Sequence, residues 1–272
     1  MEPMDLHTHS NMSDGTCTPS LLVEKAKAAG LGIVALTDHD CIQGIPEAME
    51  AGERLGIRVI PGLELDTEFH TELHMLGLGV DPLHPALQEF AARNAQRRQA
   101  RNEAILNQLA AAGVDVRPFF PAQHGTPTRL HVALALVAGG FAPTIGEAFR
   151  NYLFRGTPGY VETKRILPED AIALIHQAGG LAVLAHPCKV KADVAALVAR
   201  LHPAGLDGLE AFYPTATPGQ RDTYISMARQ YGMLLTCGSD FHGDNRPDNR
   251  LGCTWQQSPL LEPVYTWLLQ RS

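Results

Sequence analysis

Two histidines stand two residues apart near the start of the chain, in Met4-Asp5-Leu6-His7-Thr8-His9-Ser10. Met4 and Leu6 are apolar and alternate with Asp5, His7 and His9, a two-residue period that predicts a strand over 4–10. Residues two apart on a strand face the same side. His7 and His9 can therefore grip one cation, since neutral imidazole is a common metal ligand. Such a pair alone is a weak motif. What gives it weight is repetition: Asp14 stands just after the same strand, and His39, Glu64, His74, His186, Asp240 and His242 stand at or just past the ends of further predicted strands. All are metal-ligand types, and clustered divalent cations suit hydrolysis of phosphate esters. They lower the pKa of water and neutralise charge on phosphoryl oxygens.

The elements that must position these residues alternate in type. Ser13-Asp14-Gly15-Thr16 reads as a turn, and Thr18-Pro19 as the N-cap and first residue of a helix that stops at Gly30. The apolar run 32–36 predicts a strand buried on both faces, delivering Thr37-Asp38-His39-Asp40. A helix over 46–55 stops at Gly56. Strands follow over 57–61, before Gly62 and Glu64, and over 73–79, carrying His74. After an interruption the rhythm resumes: helix 168–178, strand 181–185 delivering His186, helix 192–201, strand 206–212 with Glu210, helix 218–231, and strand 233–237 delivering Gly238-Ser239-Asp240-Phe241-His242. A last helix, 260–269, is expected to pack Trp267 on the barrel. Strand–helix alternation implies a parallel sheet covered by helices, with chemistry at the C-terminal ends of the strands.

The interruption, 85–156, reads as a helical insertion or cap. It opens with a long helix rich in Ala, Gln and Arg, on which Arg93, Arg97 and Arg101 fall four apart and read as a solvated face. A Pro-rich break over 119–127 and two short helices, near 130–137 and 145–153, complete it. The barrel would then comprise 1–84 and 157–272. His70, His84, His124, His176 and His202 are read as packed or surface residues.

Composition bounds the function. The chain has 272 residues, 45% hydrophobic and 19% charged, an ordinary soluble globular make-up. Five scattered cysteines, Cys17, Cys41, Cys188, Cys237 and Cys253, lack Cys-x-x-Cys spacing and form neither a disulfide framework nor a thiolate zinc site. No apolar run reaches the length of a membrane helix, and Asp5, His7 and His9 occupy the place of a signal peptide's apolar core. A cytoplasmic protein is expected. The net charge of −7 argues against gripping long duplex nucleic acid, although bound cations would add positive charge locally.

The ordered motifs Asp5-Leu6-His7-Thr8-His9-Ser10, Ser13-Asp14-Gly15, Thr37-Asp38-His39-Asp40, Pro61-Gly62-Leu63-Glu64, His74-Met75-Leu76-Gly77, Ala185-His186-Pro187 and Gly238-Ser239-Asp240-Phe241-His242 resemble those of the PHP (polymerase and histidinol phosphatase) family. The resemblance implies an α/β fold, a distorted (β/α)7 barrel binding two or three divalent metals. One would take His7, His9, Glu64 and Asp240. A second would share Glu64 and take His74 and His186. A third would take Asp14, His39 and His242. Within the insertion, Thr128-Arg129-Leu130-His131 and the stretch from Tyr152 to Val161 resemble stand-alone PHP phosphoesterases with a helical cap, among them 3′,5′-nucleoside bisphosphate phosphatases and exonucleases that trim short RNA from the 5′ end. Cys188-Lys189 departs from the Gly-Arg found there in many relatives.

The expected reaction is in-line attack on phosphorus by a hydroxide bridging two of the metals, with Glu64 holding that pair together. Arg129 would hold the phosphate by its bidentate fork. His131 would protonate the leaving oxygen, bind phosphate or simply pack the cap. Arg155 and Lys189 are candidates for a second phosphate. Ligands of these types suit Mn, Fe or Zn. The expected partner is a small phosphorylated substrate, a nucleotide or short RNA, with no membrane. Histidinol-phosphate or cyclic-phosphate hydrolysis is the alternative, then a metal-dependent amidohydrolase, then a non-catalytic metal-binding module.

Overall fold

A computed structural model describes residues 1–120, 125 and 127–270. His124 and part of the Pro-rich break therefore lie outside the described residues. The strands are β1 (Met4–Asp5), β2 (Ile33–Leu36), β3 (Arg58–Asp66), β4 (His74–Leu78), β5 (Leu181–Leu184), β6 (Gly208–Phe212) and β7 (Leu234–Cys237). They form one seven-stranded sheet in chain order. Leu6 N donates to Cys237 O at 3.0 Å, Asp240 N to His7 O at 2.9 Å and His9 N to Phe241 O at 2.8 Å. These bonds tie the chain after β7 back to the first segment and curl the sheet into a nearly closed barrel. β2, β5 and β6 are buried along their whole length, as apolar runs in a barrel wall must be.

Nine helices are present among the described residues: α1 (Pro19–Ala28), α2 (Ile45–Leu55), α3 (Pro85–Ala111), α4 (Arg129–Ala138), α5 (Ile145–Ala148), α6 (Pro168–Gln177), α7 (Val194–Leu201), α8 (Pro218–Tyr231) and α9 (Glu262–Leu269). Their ends carry the signals read from sequence. Thr18 caps α1 by accepting from Leu21 N, and Gly56 closes α2 in the left-handed conformation. In α9, Trp267 packs against the barrel core, close to Gly79. None of the described helices is long and apolar enough to cross a membrane.

The chain divides into two compact units, Met1–Ala91 with Arg165–Ser272, and Ala92–Lys164. The first holds the barrel and its core. The second has its own core, built on Ile105, Leu109, Val132, Leu136 and Leu153.

Three expectations are corrected. The sheet is not parallel throughout, because β4 runs antiparallel to both β3 and β5. Only the short segment 67–73 joins β3 to β4, too few residues for the helical crossover that a parallel pair needs. His74 is consequently the first residue of β4, not one near its C-terminal end. The reversal still brings it to the rim where the other strands finish. Second, β1 is only two residues long. Beyond Asp5 the extended chain bonds to the segment after β7 and, through Thr37 N to Thr8 O at 2.9 Å, to the end of β2. Third, the arginines of α3 do not form one solvated face: Arg93 is exposed, but Arg101 is only 7% exposed. Its guanidinium binds Asn102 Oδ1, whose amide in turn donates to Thr128 O at 3.2 Å.

Candidate metal centre

All the ligand-type residues named from sequence meet at one end of the barrel, buried or nearly so. Glu64, on β3, is the hub. Its Oε2 lies 3.2 Å from His7 Nε2, 3.2 Å from His9 Nε2 and 3.3 Å from His39 Nδ1. Its Oε1 lies 2.8 Å from both His74 Nδ1 and His186 Nε2. Three groups place ligand atoms close enough to share an ion: His7, His9, Glu64 and Asp240; His9, Asp14, His39 and His242; and His39, Glu64 and His74. His9, His39 and Glu64 each belong to two of them, so the groups merge into one cluster.

Local backbone geometry brings the cluster together. Asp40, His186 and Asp240 adopt φ values of 50°, 28° and 53°. That region is costly for a side chain with a Cβ, by about 1–3 kcal/mol each, and such residues gather at functional sites. Asp38 braces the turn after His9, accepting from Ser10 N at 2.8 Å, Ser10 Oγ at 2.6 Å and Ser13 Oγ at 2.5 Å. Gly238 admits the close approach of His7 and Glu210. A Cβ there would stand 2.3 Å from His7 Cβ and 2.3 Å from Glu210 Oε1.

The ring nitrogens suit cations. Buried His9 Nδ1, His186 Nδ1 and His242 Nε2 make no hydrogen bond among the described residues, a costly state for a polar atom away from water. His242 Nδ1 lies 2.8 Å from the carbonyl oxygen of Asp240. A carbonyl only accepts, so Nδ1 carries the proton and Nε2 keeps its lone pair, facing Asp14 Oδ1 at 3.3 Å. His7 is set in the same manner. Its Nδ1 meets Glu210 Oε1 at 2.9 Å, leaving Nε2 towards Glu64 and Asp240. A carboxylate behind a metal-ligating histidine is a frequent supporting arrangement.

Charge in the cluster is balanced by its own members. Burial opposes the charged form of His39, but the carboxylates of Glu64 and Asp14 outweigh it and hold the imidazole up to about 10. Burial likewise opposes a charged His7, and Glu210, Glu64 and Asp240 raise it well above the ordinary value regardless. Burial together with His9 pushes His242 down to about 4. A cation entering the cluster must displace the protons on His7 and His39. Uptake of Mn2+ by metal-free protein at neutral pH is therefore expected to release at least about one proton. Apparent affinity should rise with pH as those protons leave. Calorimetry in buffers of different ionisation enthalpy checks both; uptake without proton release would contradict this charge balance.

Some participants were not anticipated from sequence. Glu210 was placed on its strand but given no role; fully buried, it also accepts from His186 N at 2.7 Å, tying two of the ligand-type residues together. A lone carboxylate in the apolar run of β6 was the available signal. Tyr213 Oη donates to Asp240 Oδ2 at 2.6 Å, and Arg246 binds the same oxygen. Arg246 lies in an irregular loop with no periodicity to single it out. Lys189, named from sequence, reaches that oxygen at 3.1 Å. Burial opposes ionisation of Asp240, but Arg246, His242 and His7 hold it well below the usual carboxylate range.

The remaining named residues belong to the second unit. Arg129 lies over the Phe149 ring at 6.0 Å. His131 Nδ1 accepts from Thr128 N at 3.0 Å, so this ring helps cap α4. Arg155 is exposed, pairs with Glu162 and stacks on Tyr160 at 5.6 Å.

The family model described as "PHP domain" matches residues 5–185. The chain belongs to the PHP domain family. The 5′-3′ exoribonuclease Rnm of Salmonella typhimurium is 39% identical over 249 residues, covering 88% of this chain and 84% of its own. The 3′,5′-nucleoside bisphosphate phosphatase of Chromobacterium violaceum is 33% identical over 280 residues, covering 100% of this chain and 98% of its own. A solved structure from Chromobacterium violaceum, described as an amidohydrolase with bound sulfate and no metal, superposes with a TM-score of 0.88 at 32% identity. The alignment covers 99% of this PHP chain and 96% of that one.

Proposed function

We propose that this PHP protein is a metal-dependent phosphoesterase acting on a small nucleotide, of the 3′,5′-nucleoside bisphosphate kind, or on the 5′ end of short RNA. The single observation that carries the reading is the cluster around Glu64, where imidazoles from separate segments face shared, buried carboxylates. His7, His9, Glu64 and Asp240 would hold one cation; Glu64, His74 and His186 a second; and Asp14, His39 and His242 a third. Histidine with carboxylate ligands suits Mn, Fe or Zn. Cations bound there would lower the pKa of water and offset charge on the phosphoryl oxygens.

The other roles fall to the chain itself. Glu210 holds His7 and the backbone of His186 in place. Lys189 and Arg246, both on Asp240 Oδ2, bring positive charge beside the cluster, suited to a phosphate on the substrate. Arg129 would clamp the phosphate, and His131 would protonate the leaving oxygen or bind phosphate through Nε2, since Nδ1 serves the helix cap.

Metal analysis followed by a substrate panel tests the reading. Phosphate release is expected from adenosine 3′,5′-bisphosphate, or nucleotide release from a short 5′-phosphorylated RNA, with histidinol phosphate, a cyclic phosphate, an amide and a lactone as poor substrates. Turnover of the amide or lactone alone would favour the amidohydrolase reading, which matches the description of the superposed Chromobacterium violaceum structure. Arg129→Ala is expected to raise KM for the phosphate ester about tenfold or more, the loss of a charge-assisted hydrogen bond. A normal KM would remove Arg129 from the site.

A further inference from the structure

We propose that Asp66 is a positioning residue that decides which ring nitrogens His74 and His39 turn towards the metal centre. The inference rests on the metal-site reading above. Asp66 is the last residue of β3, two beyond Glu64, so both carboxylates project from the same side of the strand. In the antiparallel ladder Asp66 stands opposite His74. Its backbone N–H donates to Asp40 Oδ1 at 3.1 Å, which anchors the strand end.

The His74 ring lies between Glu64 and Asp66, with the exposed Glu72 Oε1 farther off, 4.0 Å from Nε2. Glu64 Oε1 is 2.8 Å from Nδ1, and Asp66 Oδ1 is 3.2 Å from Nε2. A neutral imidazole carries one N–H and one lone pair. With the N–H at Nε2, Asp66 accepts it and Nδ1 offers its lone pair to a cation shared with Glu64. The opposite tautomer would aim the Nε2 lone pair at a carboxylate oxygen. The same Asp66 oxygen stands 3.4 Å from His39 Nδ1, while His39 Nε2 faces Asp14 at 3.8 Å. One oxygen thus sets His74 to bind through Nδ1 and His39 through Nε2. Glu210 does the reverse for His7, occupying Nδ1 and freeing Nε2. A carboxylate acceptor also makes the ligating nitrogen more basic, and its removal typically costs about 10–100-fold in metal affinity.

Asp66 is 19% exposed in its side chain, against none for Glu210, so it can be replaced with little disturbance to the core. The test compares Asp66→Asn, which keeps the shape, Asp66→Ala and Asp66→Glu with the parent protein. Each metal-free protein is titrated with Zn2+ against a competing chelator, and ring nitrogen shifts are read in histidine-labelled, Zn2+-loaded protein. The expected result is an affinity about 10–100-fold lower for Asp66→Asn and Asp66→Ala, partly restored in Asp66→Glu. The His74 and His39 nitrogen signals should lose the parent tautomer pattern while the His7 pattern persists. Unchanged affinity and unchanged His74 and His39 shifts in Asp66→Asn would overturn the assignment. Parent protein that takes up no Zn2+ at all would overturn the metal-site reading itself, a distinct failure visible before any variant is made.

Discussion

Glu64→Gln is expected to abolish phosphate release, with a loss of at least about 10³-fold, as large as removing a group that clamps charge in the transition state. The argument is geometric. Both Glu64 oxygens are engaged, Oε2 by His7, His9 and His39 and Oε1 by His74 and His186. An amide offers one acceptor oxygen and a nitrogen that can only donate. Whichever way it turns, a donor confronts rings that must keep lone pairs for cations. The carboxylate also supplies the charge on which His39, His7 and His74 draw, and they in turn outweigh the burial that opposes its own ionisation. Metal content and turnover should therefore fall together, while circular dichroism stays that of the parent. Asp240→Asn and His39→Ala should behave alike, since each removes one member of the same cluster. Full turnover by metal-replete Glu64→Gln protein would refute the site.

Stripping the protein with a chelator is expected to eliminate activity and to lower Tm by about 5 °C or more. A cation present at about 100 times its Kd stabilises the folded state by about 2.7 kcal/mol, and each kcal/mol moves a domain of about 150–250 residues by about 2–4 °C. The physical source lies in the cluster itself. Without cations its carboxylates are balanced, among the described residues, by protonated imidazoles, Lys189 and Arg246, and several buried ring nitrogens stay unpaired there. Mn2+ should restore both readouts in proportion to its concentration. Return of activity without a gain in Tm would place the ion elsewhere than in this buried cluster. A Tm indifferent to chelator, in protein shown to have been loaded, would contradict it outright.

The ligand-type residues were legible because strand ends in such a fold deliver side chains to a common rim. Apolar runs such as Ile33–Leu36 and Leu181–Leu184 mark the strands without ambiguity, and turn residues follow directly. His74 was found for an incomplete reason. Its motif was recognised, but periodicity has no direction, and only the short 67–73 connection hinted that β4 is reversed. Arg101 was misread because spacing along a helix identifies a face, not what covers it. Glu210 is marked as a lone carboxylate in the apolar run of β6, but that mark does not name the histidine it steadies, 203 residues away, and Asp66, beyond the strand expected over 57–61, carries no local mark.

By itself the sequence determined the order of strands and helices, the apolar barrel wall and the residues able to bind cations, since these follow from periodicity, capping and side-chain chemistry along the chain. Tertiary structure alone decided that Glu64 meets five imidazoles, that β4 turns back to bring His74 to the same rim, and that Glu210 and Asp66 stand behind the ligating rings. Those outcomes depend on distances between segments far apart in the chain, which closure of the sheet sets and no local pattern encodes.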